Sequence, residues 1–182
     1  MASPLLPTMS RGHNALRDAL PGLLCAIATL LFGYAMGVVF GLNEDLIKSR
    51  LAASASAVSA TVYHGDSAAA NAVLSKSWTY MQRAHLHAGG LGSAAIGVTL
   101  LIVMLGASTM WTRVISIGLG AGAFGYSLFW MWAGFRAPAL GSTGAAKESL
   151  AWLAIPSSGA VVIATAAAAV ILILTLLKPR DS

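Results

Sequence analysis

The chain contains 182 residues, of which 57% are hydrophobic and 9% are charged, and its formal net charge is +5. Soluble domains carry about 25% charged residues, so this composition excludes an ordinary soluble globular domain. The basic residues are scattered along the chain, which excludes the clustered basic surface of a nucleic-acid-binding protein.

Four stretches of the chain lack Asp, Glu, Lys and Arg. Each is long enough to cross a hydrocarbon core of about 30 Å as a helix. Because backbone amides in lipid need internal partners, each stretch should be helical. They predict spans at about residues 19–42, 84–107, 114–135 and 152–177. The first run exceeds the apolar region of a signal peptide, which has about 7–15 residues, so we expect a retained span.

These spans predict an all-α membrane protein with one four-span membrane domain, residues 18–178. Residues 1–17 read as a polar N-terminal tail and residues 179–182 as a C-terminal tail, and four spans place both on one side. Lysines and arginines near the span ends set orientation, and the tail side has five of them against six on the loop side. The loop-side bases are spread through a longer segment. We therefore expect a multi-pass integral membrane protein with cytoplasmic termini.

Residues 43–83, between spans one and two, are predicted to form a projecting extramembrane helical hairpin. Two alanine-rich segments flank the sequence His-Gly-Asp at positions 64–66. Gly65 suits the left-handed position that ends a helix, and Asp66 suits the N-cap of the next helix. A turn centred near residues 63 and 64 pairs positions whose numbers sum to about 127, within about one helical turn.

This pairing brings the charged residues Glu44, Asp45 and Arg83 together where the hairpin leaves the bilayer, beside His85. Paired charges offset the cost of burial. Such a cluster favours either an ion-pair network that fixes the hairpin or a surface that binds a small anion or a partner protein.

The stretch YMQRAHLHAGGLG, residues 80–92, contains the histidines nearest to a span. Residues i and i+2 of a helix point about 200° apart, so His85 and His87 should lie on opposite faces and chelate one metal poorly. One interpretation makes them interfacial residues bonded to neighbouring backbone. Another makes them haem or copper ligands, paired with Met131 or Met36, since haem and Cu(I) both accept imidazole and thioether ligands. Proton transfer or quinone contact is a third.

Small residues recur every four positions in span one, at Gly33, Gly37 and Gly41. This spacing lets helix backbones approach closely, either within the bundle or against a partner. Trp130, Trp132 and Trp152 are predicted to form an aromatic belt at headgroup depth.

The sequence has no CxxC, CxxCH, Walker A, GxSxG or HExxH motif. We therefore expect a non-catalytic accessory or structural subunit of a membrane complex. Its partners would be the lipid bilayer and either other membrane subunits or further copies of itself, not nucleic acid. The alternative is a haem- or copper-binding redox protein that uses His85 or His87, and a small transporter is a third hypothesis.

Overall fold

The computed structural model describes residues 6–178, with side chains from residue 12 onward. These residues form the helices α1 (Leu6–Ser56), α2 (Ser67–Met104), α3 (Thr109–Leu140), α4 (Thr143–Glu148) and α5 (Ala151–Leu176). Within this range, α1, α2, α3 and α5 are long and apolar enough to cross a membrane. The predicted all-α membrane fold with four spans is confirmed.

The predicted tails are only partly covered by these residues. Residues 1–5 and the C-terminal tail, 179–182, lie outside the described range. The rest of the predicted N-terminal tail belongs to α1, which begins at Leu6.

Helix α3 lies at the centre of the bundle. It contacts α1, α2, α4 and α5, whereas no Cα atoms of α1 and α5 lie within 8 Å of each other over the described residues. Helices α1, α2 and α3 thus form a three-helix core, and α5 flanks α3. The contact between α1 and α3 is close, because a Cβ atom added to Gly22 would overlap the backbone carbonyl group of Ser116. Glycine is required where two helix backbones meet in this way.

Helices α1 and α2 form an antiparallel hairpin whose turn has the predicted geometry. His64 and Gly65 have φ angles of 52° and 80°, which is the left-handed region. The side chain of Asp66 accepts a hydrogen bond from the backbone N–H of Ala69 at 2.9 Å. The predicted turn at Gly65 and the predicted N-cap at Asp66 are therefore confirmed.

The tip of this hairpin packs on the C-terminal end of α3. The buried Tyr63 hydroxyl donates a hydrogen bond to the carbonyl oxygen of Pro138 at 2.7 Å, and Val62 lies against Gly141. Burial raises the pKa of Tyr63, so the hydroxyl keeps the proton that it donates. Helix α3 has 32 residues, or about 48 Å at 1.5 Å per residue, which exceeds a hydrocarbon core of about 30 Å.

Helix α1 is kinked at Asn43, whose φ and ψ are −143° and 39°. On the turn side of the kink, Lys48 lies over the ring of Trp78, one position from the predicted pairing. On the other side, Gly37 meets the ring of His85, whereas the predicted pairing places it near Gly90. The kink thus shifts the register of the two helices by about one turn.

At the opposite end of the bundle, an ion pair joins α1 to α3. The guanidinium of Arg113 donates two hydrogen bonds to one carboxylate oxygen of Asp18, at 3.1 and 2.7 Å. This contact ties the start of α3 to the first turns of α1.

Candidate functional site

The ring of His85 lies between α2 and α1. Its Nδ1 atom is 2.8 Å from the carbonyl oxygen of Gly33, and its edge faces Phe40 with ring centres 5.9 Å apart. A Cβ atom added to Gly37 would lie 2.9 Å from the Cε1 atom of His85. Gly37 therefore makes the space that the imidazole fills.

The ring of His87 points to α3 instead. Its Nδ1 atom is 2.7 Å from the carbonyl oxygen of Arg83, one turn earlier on α2. The ring centre lies 5.1 Å from that of Tyr126 and 6.0 Å from that of Trp130. The predicted placement of the two histidines on opposite faces of one helix is confirmed, and they do not converge on one metal.

Both histidines use the same nitrogen for the same kind of bond. A carbonyl oxygen only accepts hydrogen bonds, so Nδ1 of His85 and Nδ1 of His87 each carry the proton. In the neutral imidazole, Nε2 then keeps its lone pair. Histidines that bind metals commonly have one nitrogen fixed in this way. The same hydrogen bond would also satisfy the N–H group of a histidine that only packs between helices.

His87 belongs to an aromatic cluster that α2 and α3 build together. The cluster consists of Tyr80, His87, Tyr126, Phe129 and Trp130, with neighbouring ring centres 4.9–6.1 Å apart. Such edge-on and offset pairs add to the free energy gained by burial. The cluster fixes the orientation of α2 against α3.

Trp130 is buried in this cluster, with 9% of its surface exposed. The prediction that it belongs to an aromatic belt was therefore wrong, because its ring faces α2 rather than the outside of the bundle. Trp132 and Trp152 are exposed. The Nε1 atom of Trp130 is buried and has no hydrogen-bond acceptor among the described residues.

Arg83 rests on the rim of the aromatic cluster. Its guanidinium carbon lies 4.9 Å from the ring centre of Trp130 and 5.7 Å from that of Tyr80. A cation over an aromatic face is attracted by the negative charge density there. Arg83 is thus held by rings of α2 and α3.

The described side chains do not form the predicted charge pairs between Arg83 and the acidic residues of α1. Glu44 forms an ion pair with Lys48, one turn away on the same helix, and Asp45 is exposed. The guanidinium of Arg83 lies over the rings of Tyr80 and Trp130 instead. These three residues therefore do not form one ion-pair network.

The two methionines predicted as cofactor ligands lie together, away from the histidines. Met36 of α1 and Met131 of α3 line one cavity of about 280 Å³, and Met81 of α2 lines it too. Neither His85 nor His87 belongs to the lining of this cavity, which we call the methionine cavity. The structure thus brings the side chains of Met36 and Met131 to one cavity and leaves the predicted histidine–methionine pairs apart.

Two of the three predicted contact glycines of α1 are used inside the bundle. A Cβ atom added to Gly33 would lie 3.0 Å from the Cβ of Ala88, and Gly37 faces His85. Gly41 has no described atom within 4 Å of such a Cβ position. Gly33 and Gly37 therefore pack α1 against α2 and are not open to a partner.

Helix α2 also presents small residues to the outside. Gly90, Ser93, Ala94 and Gly97 are exposed and lie on one side of the helix. A Cβ atom added to Gly90 or Gly97 meets no described atom within 4 Å. We call these four residues the small-residue face. Leu86 and Leu101, both exposed, flank it along the helix.

Between residues 6 and 178, no group of three or more His, Cys, Asp and Glu side chains is close enough to hold a metal ion. Thioether sulfur atoms are outside that group of ligands, so the methionine cavity is a separate candidate.

Comparison with known proteins finds no match among protein families, curated proteins or solved structures.

Sequence reasoning missed Tyr80, Tyr126 and Met81. The signal was present, because Tyr80, Arg83 and His87 recur at intervals of three and four, and Tyr126 and Trp130 do the same on α3. Residues at these intervals share a helix face. The His-x-His pair drew attention to spacings within α2, whereas the cluster depends on which faces of two helices meet.

Proposed function

We propose that this chain is a non-catalytic subunit of a membrane complex, bound to its neighbour through the small-residue face of α2. The carrying observation is that Gly90, Ser93, Ala94 and Gly97 are exposed on a membrane-spanning helix. A flat strip of small residues gives lipid tails little side-chain surface to pack against, whereas it lets the backbone of a second helix approach closely. On the opposite face of α2 a small residue already allows close packing of this kind, since Gly92 lies against Leu30 of α1.

Helix α5 supports the same proposal, because its outward side has a different composition. The outward side of α5 carries large aliphatic residues, among them Val162, Ile163, Val170 and Ile173, all more than half exposed. Such side chains suit contact with lipid tails. The small-residue face therefore differs from an ordinary lipid-facing surface of the same bundle.

A photo-crosslinking amino acid at position 93 tests the proposal in native membranes. Position 165 of α5 is the matched control, because Thr165 is likewise exposed on a helix that can span the membrane. We expect one discrete adduct from position 93, none from position 165, and loss of the adduct when Gly97→Leu is added. A doubled mass identifies a second copy as the partner, and another mass identifies a different subunit.

Equal adducts at both positions, or no adduct at position 93, would contradict the proposal. An adduct that persists unchanged with Gly97→Leu would also count against it, because a leucine there fills the space that the partner helix needs.

A second candidate function, a haem or copper redox protein, is favoured by one observation. Both histidines donate Nδ1–H to backbone carbonyls and keep Nε2 as a possible ligand. Protein made with sufficient haem and copper would then carry a visible band or bound copper that His85→Ala or His87→Ala removes. A colourless, metal-free wild-type protein under these conditions excludes this candidate.

A further inference from the structure

The methionine cavity is formed by one methionine from each helix of the three-helix core. Met36 comes from α1, Met81 from α2 and Met131 from α3. Met81 is fully buried and Met36 is 8% exposed. The three side chains therefore approach one space from three directions, although they are far apart in sequence.

These methionines line a space rather than fill it. Methionine is flexible and commonly closes irregular gaps in a core, yet a cavity of about 280 Å³ remains open beside them. Gly134 of α3 makes room for Met81, because a Cβ atom added there would lie 3.3 Å from its Sδ atom. The Sδ atom of Met81 is thus held in a fixed position against α3.

We propose that the methionine cavity is a binding site for Cu(I), held by the thioether sulfur atoms of Met36, Met81 and Met131. Thioethers are soft, neutral ligands, and they select Cu(I) over Zn²⁺, Mg²⁺ and Ca²⁺, which prefer nitrogen, oxygen or thiolate. The site would take up the ion without a change of oxidation state.

The rest of the lining suits a monovalent soft cation. Phe32, Phe40 and Phe135 line the same cavity, and the faces of aromatic rings attract cations. The described residues of the lining include no carboxylate. This disfavours a divalent ion, because no negative charge in the lining would offset the free energy that the ion loses on leaving water.

The test is an anaerobic titration of the purified chain in mild detergent with Cu(I), in competition with a chromophoric Cu(I) chelator. Met36→Leu, Met81→Leu and Met131→Leu remove one sulfur atom each and nearly conserve volume, which cores tolerate well. Met104→Leu is the matched control, because Met104 is 84% exposed and lies outside the cavity. Thermal unfolding checks that each variant is folded.

We expect one Cu(I) per wild-type chain. Each cavity variant should weaken binding by about 10-fold or more, whereas Met104→Leu, His85→Ala and His87→Ala should leave it unchanged. Substoichiometric binding by the wild type, or wild-type affinity in the triple leucine variant, would overturn the proposal.

X-ray absorption of the copper-loaded wild-type chain gives a second readout that needs no variant. The proposal requires sulfur neighbours alone. Nitrogen neighbours would assign the ion to a histidine and overturn the site proposed here. Because the titration uses the isolated chain, its result does not depend on whether the small-residue face binds a partner.

Discussion

The Nδ1 atom of His85 lies 2.8 Å from the carbonyl oxygen of Gly33, so a side chain of α2 is bonded to the backbone of α1. Gly33 and Gly37 leave the space in which the imidazole sits. His85 is therefore a contact that holds the hairpin helices together, whereas His87 joins α2 to α3 through the aromatic cluster.

His85→Ala should destabilise the protein through its contact with α1. The change removes one hydrogen bond, worth about 1 kcal/mol, and leaves a gap beside Gly37 and Phe40. We expect a loss of about 1–3 kcal/mol in the free energy of unfolding, measured in detergent with a chemical denaturant. Gln82→Ala is the control, since Gln82 is exposed on the same helix. Equal stability of the two variants would show that the bond to Gly33 contributes little.

Gly22→Ala should separate α1 from α3. The added Cβ would overlap the backbone carbonyl group of Ser116, and a backbone atom cannot move aside without shifting the helix. We expect a loss of about 3 kcal/mol, at the upper end of ordinary overpacking. Gly159→Ala in α5 meets no described atom within 4 Å and should be neutral or stabilising, because alanine favours helices. A neutral Gly22→Ala would contradict the close α1–α3 crossing.

Trp130→Phe and Trp130→Leu should differ in effect. Phenylalanine keeps an aromatic face for Arg83 and Tyr80, and it removes the buried Nε1 donor that lacks an acceptor among the described residues. An unpaired buried donor costs about 1–3 kcal/mol, so Trp130→Phe should change the stability by less than about 1 kcal/mol. Trp130→Leu removes the same donor but also loses the ring contacts, and it should cost about 2 kcal/mol. Equal losses in both variants would argue against an aromatic role for this position.

Tyr63→Phe should loosen the tip of the hairpin. It removes the hydrogen bond to Pro138, worth about 1 kcal/mol, and hydrogen exchange should become faster in residues 57–66 while the spans remain protected. Unchanged exchange in this segment would show that the tip is held by other contacts.

The same residue should make stability depend on pH at alkaline values. The pKa of Tyr63 is raised in the folded protein by burial, from an ordinary value of about 10. Its contribution is fully present below pH about 10 and is lost as the pH rises through the folded pKa. Tyr63→Phe should flatten this decline, and an identical decline in the variant would assign it to other groups.

Local features of the fold were predictable from the sequence because they depend on neighbouring residues. The four spans, the left-handed Gly65, the Asp66 cap and the opposite directions of His85 and His87 all follow from short-range rules. Contacts between helices were less predictable from the sequence. The kink at Asn43 shifts the pairing of α1 with α2, and no local pattern fixes its size. Arg83 and Glu44 are not paired because Arg83 lies over the rings of Tyr80 and Trp130 and Glu44 pairs with Lys48.

In the candidate sites, too, the residue types were predictable from the sequence, whereas the contacts between helices were not. Met36 and Met131 were recognised as soft ligands, but their assembly with Met81 depends on the packing of three helices. Trp130 was assigned to the surface because tryptophan near a span end commonly lies at the membrane interface. Its burial depends on α2 supplying Tyr80 and His87 at the same level.

The most direct test of the subunit proposal is the native mass of the chain extracted from its own membrane in mild detergent. A single chain has a mass of 18.6 kDa. We predict a larger complex of defined mass, which Gly97→Leu dissociates and Gly159→Leu leaves intact. A wild-type species at 18.6 kDa, the mass of one chain, under conditions that preserve other membrane complexes would contradict the account.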